Sequence, residues 1–366
     1  MSMSISGRAT ARVFAAATAA LMLGAVATTS AGATTAPAEF QLTINTSAPN
    51  SSPLHTIRSA NGSWTAWDQV PDYYYNPVGT DSLTQAESGG QLDLASEGAG
   101  QIQFVIWNDA TASWSSPTGT TAPISSTVIP VATCGIDCAP APTISQLVGS
   151  VVLGTDFHLF GLGSDGYLYE AVRSADGSWT NWTSTGLTPV GSFTEVSVAT
   201  TSGGDTQIAA IMDGKLYLTS RTTPTGSFSS WTDVFSVSSD PGTPNHVAIA
   251  GVDGNLQVLV SVDNGAGLYH ALRSSAGSAG YAWTVFGNVE AATGSNPGTI
   301  DGIAMGASGE SSTADVMEFA LVNSAGAVYH GLRNTNGSWT AMGNVIAQVG
   351  SLGSGTTATS VAAGAE

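Results

Sequence analysis

Five of the eight basic residues in the chain stand at one position of an internal repeat: Arg58, Arg173, Arg221, Arg273 and Arg333. Four of them close a Tyr-x-x-x-Arg segment that opens at Tyr169, Tyr217, Tyr269 or Tyr329, and Leu54 takes the tyrosine's place in the first copy. The residue midway along each segment is small: Thr56, Ala171, Thr219, Ala271 or Gly331. A Gly-Ser-Trp-Thr element or a variant follows, and then a second large residue, which is Trp67, Trp182, Trp231, Phe286 or Met342. A guanidinium fork donates to vicinal hydroxyls, and an aromatic face complements the C–H face of a pyranose ring. A small residue between them admits the ring. The set Arg58, Trp67, Tyr169, Arg173, Trp182, Tyr217, Arg221, Trp231, Tyr269, Arg273, Tyr329 and Arg333 is therefore the candidate for binding neutral sugars.

A packing role competes at each position. The arginine could clamp a neighbouring element by donating to its carbonyls or carboxylates. The first aromatic of each copy (Trp64, Trp114, Trp179, Phe228, Trp283 or Trp339) suits packing better than ligand contact. The second aromatic suits either role. Copies with Arg, a small residue and Trp are complete, namely those of Arg58, Arg173 and Arg221. A degenerate copy spans Phe104–Pro117, with Asn108 aligned to the arginines and no second aromatic.

Other chemistries leave little trace. No nucleophile elbow, zincin, P-loop or EF-hand pattern is present. Three of the five histidines, His55, His270 and His330, share the position after the repeat tyrosine, which suits a structural or ligand-lining role. The polar residues that break the repeat are Asp72 with Tyr73–Tyr75, Asp93, Glu97 and Glu318. A glycosidase would need two carboxylates roughly 5–9.5 Å apart, and the sequence places no such pair. No catalytic residue, cofactor or metal is expected.

The elements that position these residues are short strands. The first aromatics recur roughly every 50–65 residues, the spacing of a propeller blade or a similar repeat. Asn61-Gly62, Asp165-Gly166, Asp176-Gly177, Asp213-Gly214 and Asn336-Gly337 are hairpin turns. Two-residue loops at Asn61-Gly62 and Asp176-Gly177 would set Arg58 opposite Thr65, Arg173 opposite Thr180 and Ala171 opposite Trp182. Trp179 would then point to the other face. The stretch after Trp339 and the stretch from Glu39 to Trp64 together make one more repeat. The C-terminal TSVAAGAE resembles the opening strands of other copies, such as EVSVAT and HVAIAG. The expected fold is all-β: a propeller of four-stranded antiparallel blades, six by this count and seven at most, closed by pairing the C-terminal strand with the N-terminal blade.

The first residues carry Arg8 and then a short run rich in Ala and Leu, Val13–Ala27, followed by small-residue sites. Residues 1–33 read as a secretory signal peptide, and 34–366 as one propeller domain with an inserted loop at about 118–142. The protein is expected to be secreted and extracellular. In that setting Cys134 and Cys138 are expected to form a local disulfide; two thiols without a nearby histidine make a poor zinc site. A formal charge of −18 argues against nucleic-acid binding, and no run is long and apolar enough for membrane insertion.

The combination L-Y-H-A-L-R with G-S-W-T resembles the repeat of the bacterial β-propeller lectins that bind fucose and related sugars. The likeness extends over most of the chain after residue 33. It implies sugar sites in grooves between adjacent blades, lined by aromatics and a few polar groups, around the five repeat arginines. The most similar ring of that family has seven blades. Six-bladed fucose lectins use an Arg–Glu–Trp set, whereas here no Glu repeats and Glu170 stands alone. Several weak sites on one ring would act together on a multivalent glycan. Two other functions fit a secreted propeller: a glycoside hydrolase or lyase, and an extracellular protein-interaction scaffold.

Overall fold

In the computed structural model, residues 39–48, 51–71, 82–87, 90–98, 101–115, 142–201, 204–274, 281–308 and 316–365 are described. Residues 1–33, Asp72 with Tyr73–Tyr75, Pro117, Cys134 and Cys138 lie outside them, as does the expected insert up to residue 141.

The strands form six four-stranded antiparallel sheets. From inner to outer edge, blade 1 is Ala358–Ala365, Phe40–Thr46, Leu54–Arg58 and Asp68–Gln69. Blade 2 is Ser82–Glu87, Gln91–Gly98, Gln101–Asn108 and Ser113–Ser115. Blade 3 is Ile144–Leu153, Asp156–Gly163, Leu168–Arg173 and Thr183–Ser184. Blade 4 is Phe193–Ala199, Thr206–Met212, Lys215–Arg221 and Thr232–Asp233. Blade 5 is Pro244–Val252, Asn255–Val262, Gly267–Arg273 and Gly287–Asn288. Blade 6 is Ile300–Ser308, Val316–Asn323, Val328–Arg333 and Gly343–Asn344. The six inner strands contact one another in sequence and close a ring around a central channel. The ring is a six-bladed propeller.

Closure occurs where the sequence places it. Phe40 pairs with Ala365, Leu42 with Ala363 and Ile44 with Val361. Phe40, Leu42 and Ile44 are fully buried and pack on Ala320, Val322 and Val328 of blade 6. The other large apolar clusters likewise straddle two successive blades. Burial between blades, at roughly 25 cal/mol per Å² of apolar surface, therefore holds the ring together. Among the described residues, the junction between blades 1 and 2 has the smallest apolar clusters, around Ile57, Leu92 and Trp107 and around Val70, Leu94 and Val105.

Two local features differ from expectation. The hairpins after Arg58 and Arg173 hold three residues, because Ser59 N bonds Ser63 O and Ser174 N bonds Ser178 O, each at 2.9 Å. Gly62 and Gly177 sit at φ +84° and +86°, which explains the glycine but adds one residue to the loop. Arg58 and Arg173 therefore face Trp64 and Trp179, not Thr65 and Thr180. The extra residue is absorbed just beyond: Thr65 and Thr180 accept from Ile57 N and Val172 N through their hydroxyls at 2.9 Å. Leu54 then pairs with Gln69 as expected. The threonine of Gly-Ser-Trp-Thr is thus a side-chain splice in the ladder. The second difference is three one-turn helices after the outer strands, α1 (Val234–Val237), α2 (Val289–Thr293) and α3 (Val345–Val349). Asp233, Asn288 and Asn344 cap them through their side chains. They are too short to show as a helical period in the sequence.

Candidate functional site

Each repeat arginine ends the third strand of its blade and faces the blade before it. One second-strand position, held by Gln41, Asp93, His158, Gln207, Gln257 or Glu318 in blades 1 to 6, is polar in every blade, and it meets the next blade's arginine at Glu318 with Arg58, Asp93 with Arg173 and Gln207 with Arg273. In four blades this residue bonds a partner on its own third strand. His55 Nε2 bonds Gln41 Oε1 at 2.8 Å, and His270 Nε2 bonds Gln257 Oε1 at 2.7 Å. His330 Nε2 bonds Glu318 Oε2 at 2.5 Å, and in blade 3 the types are exchanged, with His158 Nδ1 on Glu170 Oε1 at 2.6 Å. The His after the repeat tyrosine is therefore structural: it orients the group that faces the next blade.

Two junctions are closed by their arginine. Arg221 is 4% exposed, makes a bidentate ion pair with Glu170 and bonds Thr206 Oγ1 at 3.1 Å. Its guanidinium also lies over Phe228 at 4.8 Å. Burial pushes the Glu170 carboxyl up, but hydrogen bonds from His158 and Arg221, with Arg221's charge, outweigh it and hold it below the usual range. Arg273 is 6% exposed, donates to Gln207 Oε1 at 2.7 Å and stacks on Tyr281 at 4.1 Å. At these two positions the clamp role holds.

The other three arginines are half-buried. Arg58 reaches Glu318 at 3.3 Å, with 20% of its side chain exposed. Arg173 lies over Phe104 at 4.9 Å and beside the buried Asp93. Arg333 lies over Trp339 at 5.9 Å and beside His270. Among the described residues neither Arg173 nor Arg333 has a hydrogen-bond acceptor, and the Arg173 Nε, like that of Arg273, is buried without one. The half-buried Trp64, Trp179 and Trp339 stand next to these guanidiniums. Each tryptophan also packs edge-on across the junction, on His330, Phe104 and His270 at 5.4, 5.4 and 5.2 Å. The packing reading of the first aromatic stands.

The second aromatics are not grouped with the guanidiniums as a slot. Trp182 is 2% exposed and packs with Tyr169 and Ala171 between blades 2 and 3, so its face is covered. Trp67 and Trp231 tie the rim of the preceding blade, donating to Gly350 O at 3.0 Å and Thr188 O at 3.1 Å. Phe286 packs on Phe235 of α1. Tyr169 is 8% exposed and donates to Asp165 at 2.7 Å; burial, then Asp165, pushes its phenol up to about 12. Tyr217, Tyr269 and Tyr329 are half-buried at the same strand position. The degenerate blade also needs realignment. Trp107 pairs with Leu92 and Trp114 as Arg273 pairs with Leu256 and Trp283, so Trp107 and not Asn108 stands in the arginine's place.

Sequence reasoning left Glu318 and Asp93 unassigned and treated Glu170 as isolated. Two of them share one second-strand position facing the next blade's arginine, and Glu170 reaches the same junction from the third strand. The signal existed in the alternation of Gln, Asp, His and Glu at that position, but aligning by charge type hid it.

No protein family matches the chain, and no curated protein matches it in sequence. Among solved structures it is similar to AofleA from Arthrobotrys oligospora, with a TM-score of 0.52 and 11% identity over 85% of each chain. The BP39L lectin from Burkholderia pseudomallei gives 0.52 and 16%, over 84% of this chain and 81% of that one. TolB from Acinetobacter baumannii gives 0.51 and 8%, over 90% of this chain and 66% of its own. Likeness at these identities establishes the shared propeller fold.

Proposed function

We propose that this ring is a secreted carbohydrate-binding protein that takes neutral, fucose-like sugars at its open blade junctions. These are the junctions of blades 6 and 1, 2 and 3, and 5 and 6, served by Arg58, Arg173 and Arg333. The observation that carries the reading is the contrast within one repeat. Arg221 and Arg273 are buried and hydrogen-bonded to the blade before them, while Arg173 and Arg333 stay half-buried beside an indole with no hydrogen-bond acceptor among the described residues. A guanidinium held without an internal acceptor is a ready fork for vicinal hydroxyls. The fold shared with a protein described as a lectin adds support. At the 6/1 junction Arg58, Glu318 and Trp64 come together, the residue types that the resemblance implies. Individual sites would be weak and act together on a multivalent glycan.

A glycan array of the full chain, run beside a panel of polysaccharide hydrolysis assays, tests the proposal. Binding to a restricted set of glycans, unchanged by EDTA and without release of reducing sugar, is expected. An array at background would overturn it, and reducing-sugar release would replace it with an enzyme.

A further inference from the structure

We infer a further sugar site at the opposite end of the ring, between blades 3 and 4 and centred on Tyr167. It rests on the carbohydrate-binding reading but uses none of the junction arginines. Those arginines lie at the end where the third and fourth strands turn. Asp165–Tyr167 belong to the hairpin joining the second and third strands of blade 3, at the other end. There the hairpin and the connection to blade 4 flank an open cleft of about 350 Å³, within the usual range for small-molecule sites.

Tyr167 is 43% exposed, one of few large apolar residues so open. It also breaks the repeat. The corresponding positions, six residues before each arginine, hold Ser52, Lys215, Gly267 and Ala327. Leu162, Pro189 and Phe193 complete an apolar wall. Asp165 supplies the polar group. Its two oxygens accept from Tyr169 OH at 2.7 Å and Tyr167 N at 3.2 Å. A carboxylate has about four acceptor positions, so two remain for hydroxyls.

The walls are fixed before any ligand arrives. Ser192 N bonds Asp213 at 3.1 Å, Trp231 Nε1 bonds Thr188 O at 3.1 Å, and Phe193 packs edge-on to Trp231 at 6.1 Å. An open phenol ring beside a pinned carboxylate suits one face of a pyranose, with C–H groups on Tyr167 and two hydroxyls donating to Asp165. The carboxylate favours such a polyol over an apolar side chain.

The full chain labelled with 3-fluorotyrosine and, separately, 5-fluorotryptophan would be titrated with methyl glycosides of fucose, galactose, mannose and N-acetylglucosamine. Fluorine NMR is the readout. The Tyr167 resonance is identified by its loss in Tyr167→Phe, and the tryptophan resonances read are those of Trp64, Trp179 and Trp339, which report the junctions. A saturable shift of the Tyr167 resonance that persists in an Arg173→Ala/Arg333→Ala variant is expected. Asp165→Asn should weaken that site about tenfold, with the tryptophan shifts unchanged. Tryptophan shifts with a silent Tyr167 would overturn this inference and leave the junction reading standing. A Tyr167 shift with silent tryptophans would support it and remove the junction reading. Silence of both labels would overturn the two together.

Discussion

Arg221 and Arg173 occupy the same repeat position, yet replacing each with alanine should have opposite consequences. Arg221→Ala removes the partner of Glu170, whose side chain is 13% exposed and keeps only His158. Breaking a buried ion pair from one side costs about 3–5 kcal/mol, because the remaining charge is left without compensation. For a propeller of this size a kcal/mol shifts Tm by roughly 1–2 °C, so a fall of about 4–8 °C is expected. Arg173→Ala loses the contact with Phe104 and a charge beside Asp93 but no hydrogen bond or ion pair, about 1 kcal/mol, and Tm should drop by about 1–2 °C. Its effect should appear instead in sugar binding at the blade 2 and 3 junction. Differential scanning calorimetry of both variants, with Arg221→Leu/Glu170→Leu as a third, separates the roles. The double variant should recover much of the stability, since it leaves no buried charge. Equal small losses in both single variants would refute the division into clamps and open sites.

Deleting 359–366 should abolish folding or lower Tm by well over 10 °C in a melting scan, because it strips the inner strand from Phe40–Thr46. Burial lowers the pKa of His55 and His270 to about 3, so both stay neutral in the fold while the unfolded chain takes up protons below pH 6.5. Stability should therefore fall as pH drops from about 6.5 towards 3, by about 1.4 kcal/mol per pH unit for each histidine, and His270→Gln should reduce that slope in urea titrations. Gly251→Ala would place a Cβ 1.9 Å from Thr200 O, which is backbone and cannot rotate away. It should destabilise by about 3 kcal/mol in the same urea assay.

Most of the fold was legible because its signals are local or arithmetic. Gly at the turns, the recurring Trp and the resemblance of TSVAAGAE to other inner strands suffice to count six blades and join the ends. The site was less legible. One residue more in the loops after Arg58 and Arg173 set Trp179 opposite Arg173, on the face that packs on blade 2, where packing between blades from the other face was expected. Whether an arginine is a clamp or a free donor depends on what the preceding blade presents. Blade 3 presents the Glu170 carboxylate to Arg221, while blade 5 presents His270 to Arg333 and no carboxylate bonded to it among the described residues. That partner lies some 50 residues or more away in the chain, and Glu318 meets Arg58 only because the ring closes. No reading of one repeat at a time reveals it.

The most direct test is a crystal of the full chain soaked with a sugar that scores on the array. Density is expected in the junctions of blades 2 and 3 and of blades 5 and 6, with ring hydroxyls on the Arg173 and Arg333 guanidiniums. The junctions closed by Arg221 and Arg273 should be empty. Sugar bound at those closed junctions, with Arg173 and Arg333 untouched, would contradict the assignment of open and closed sites.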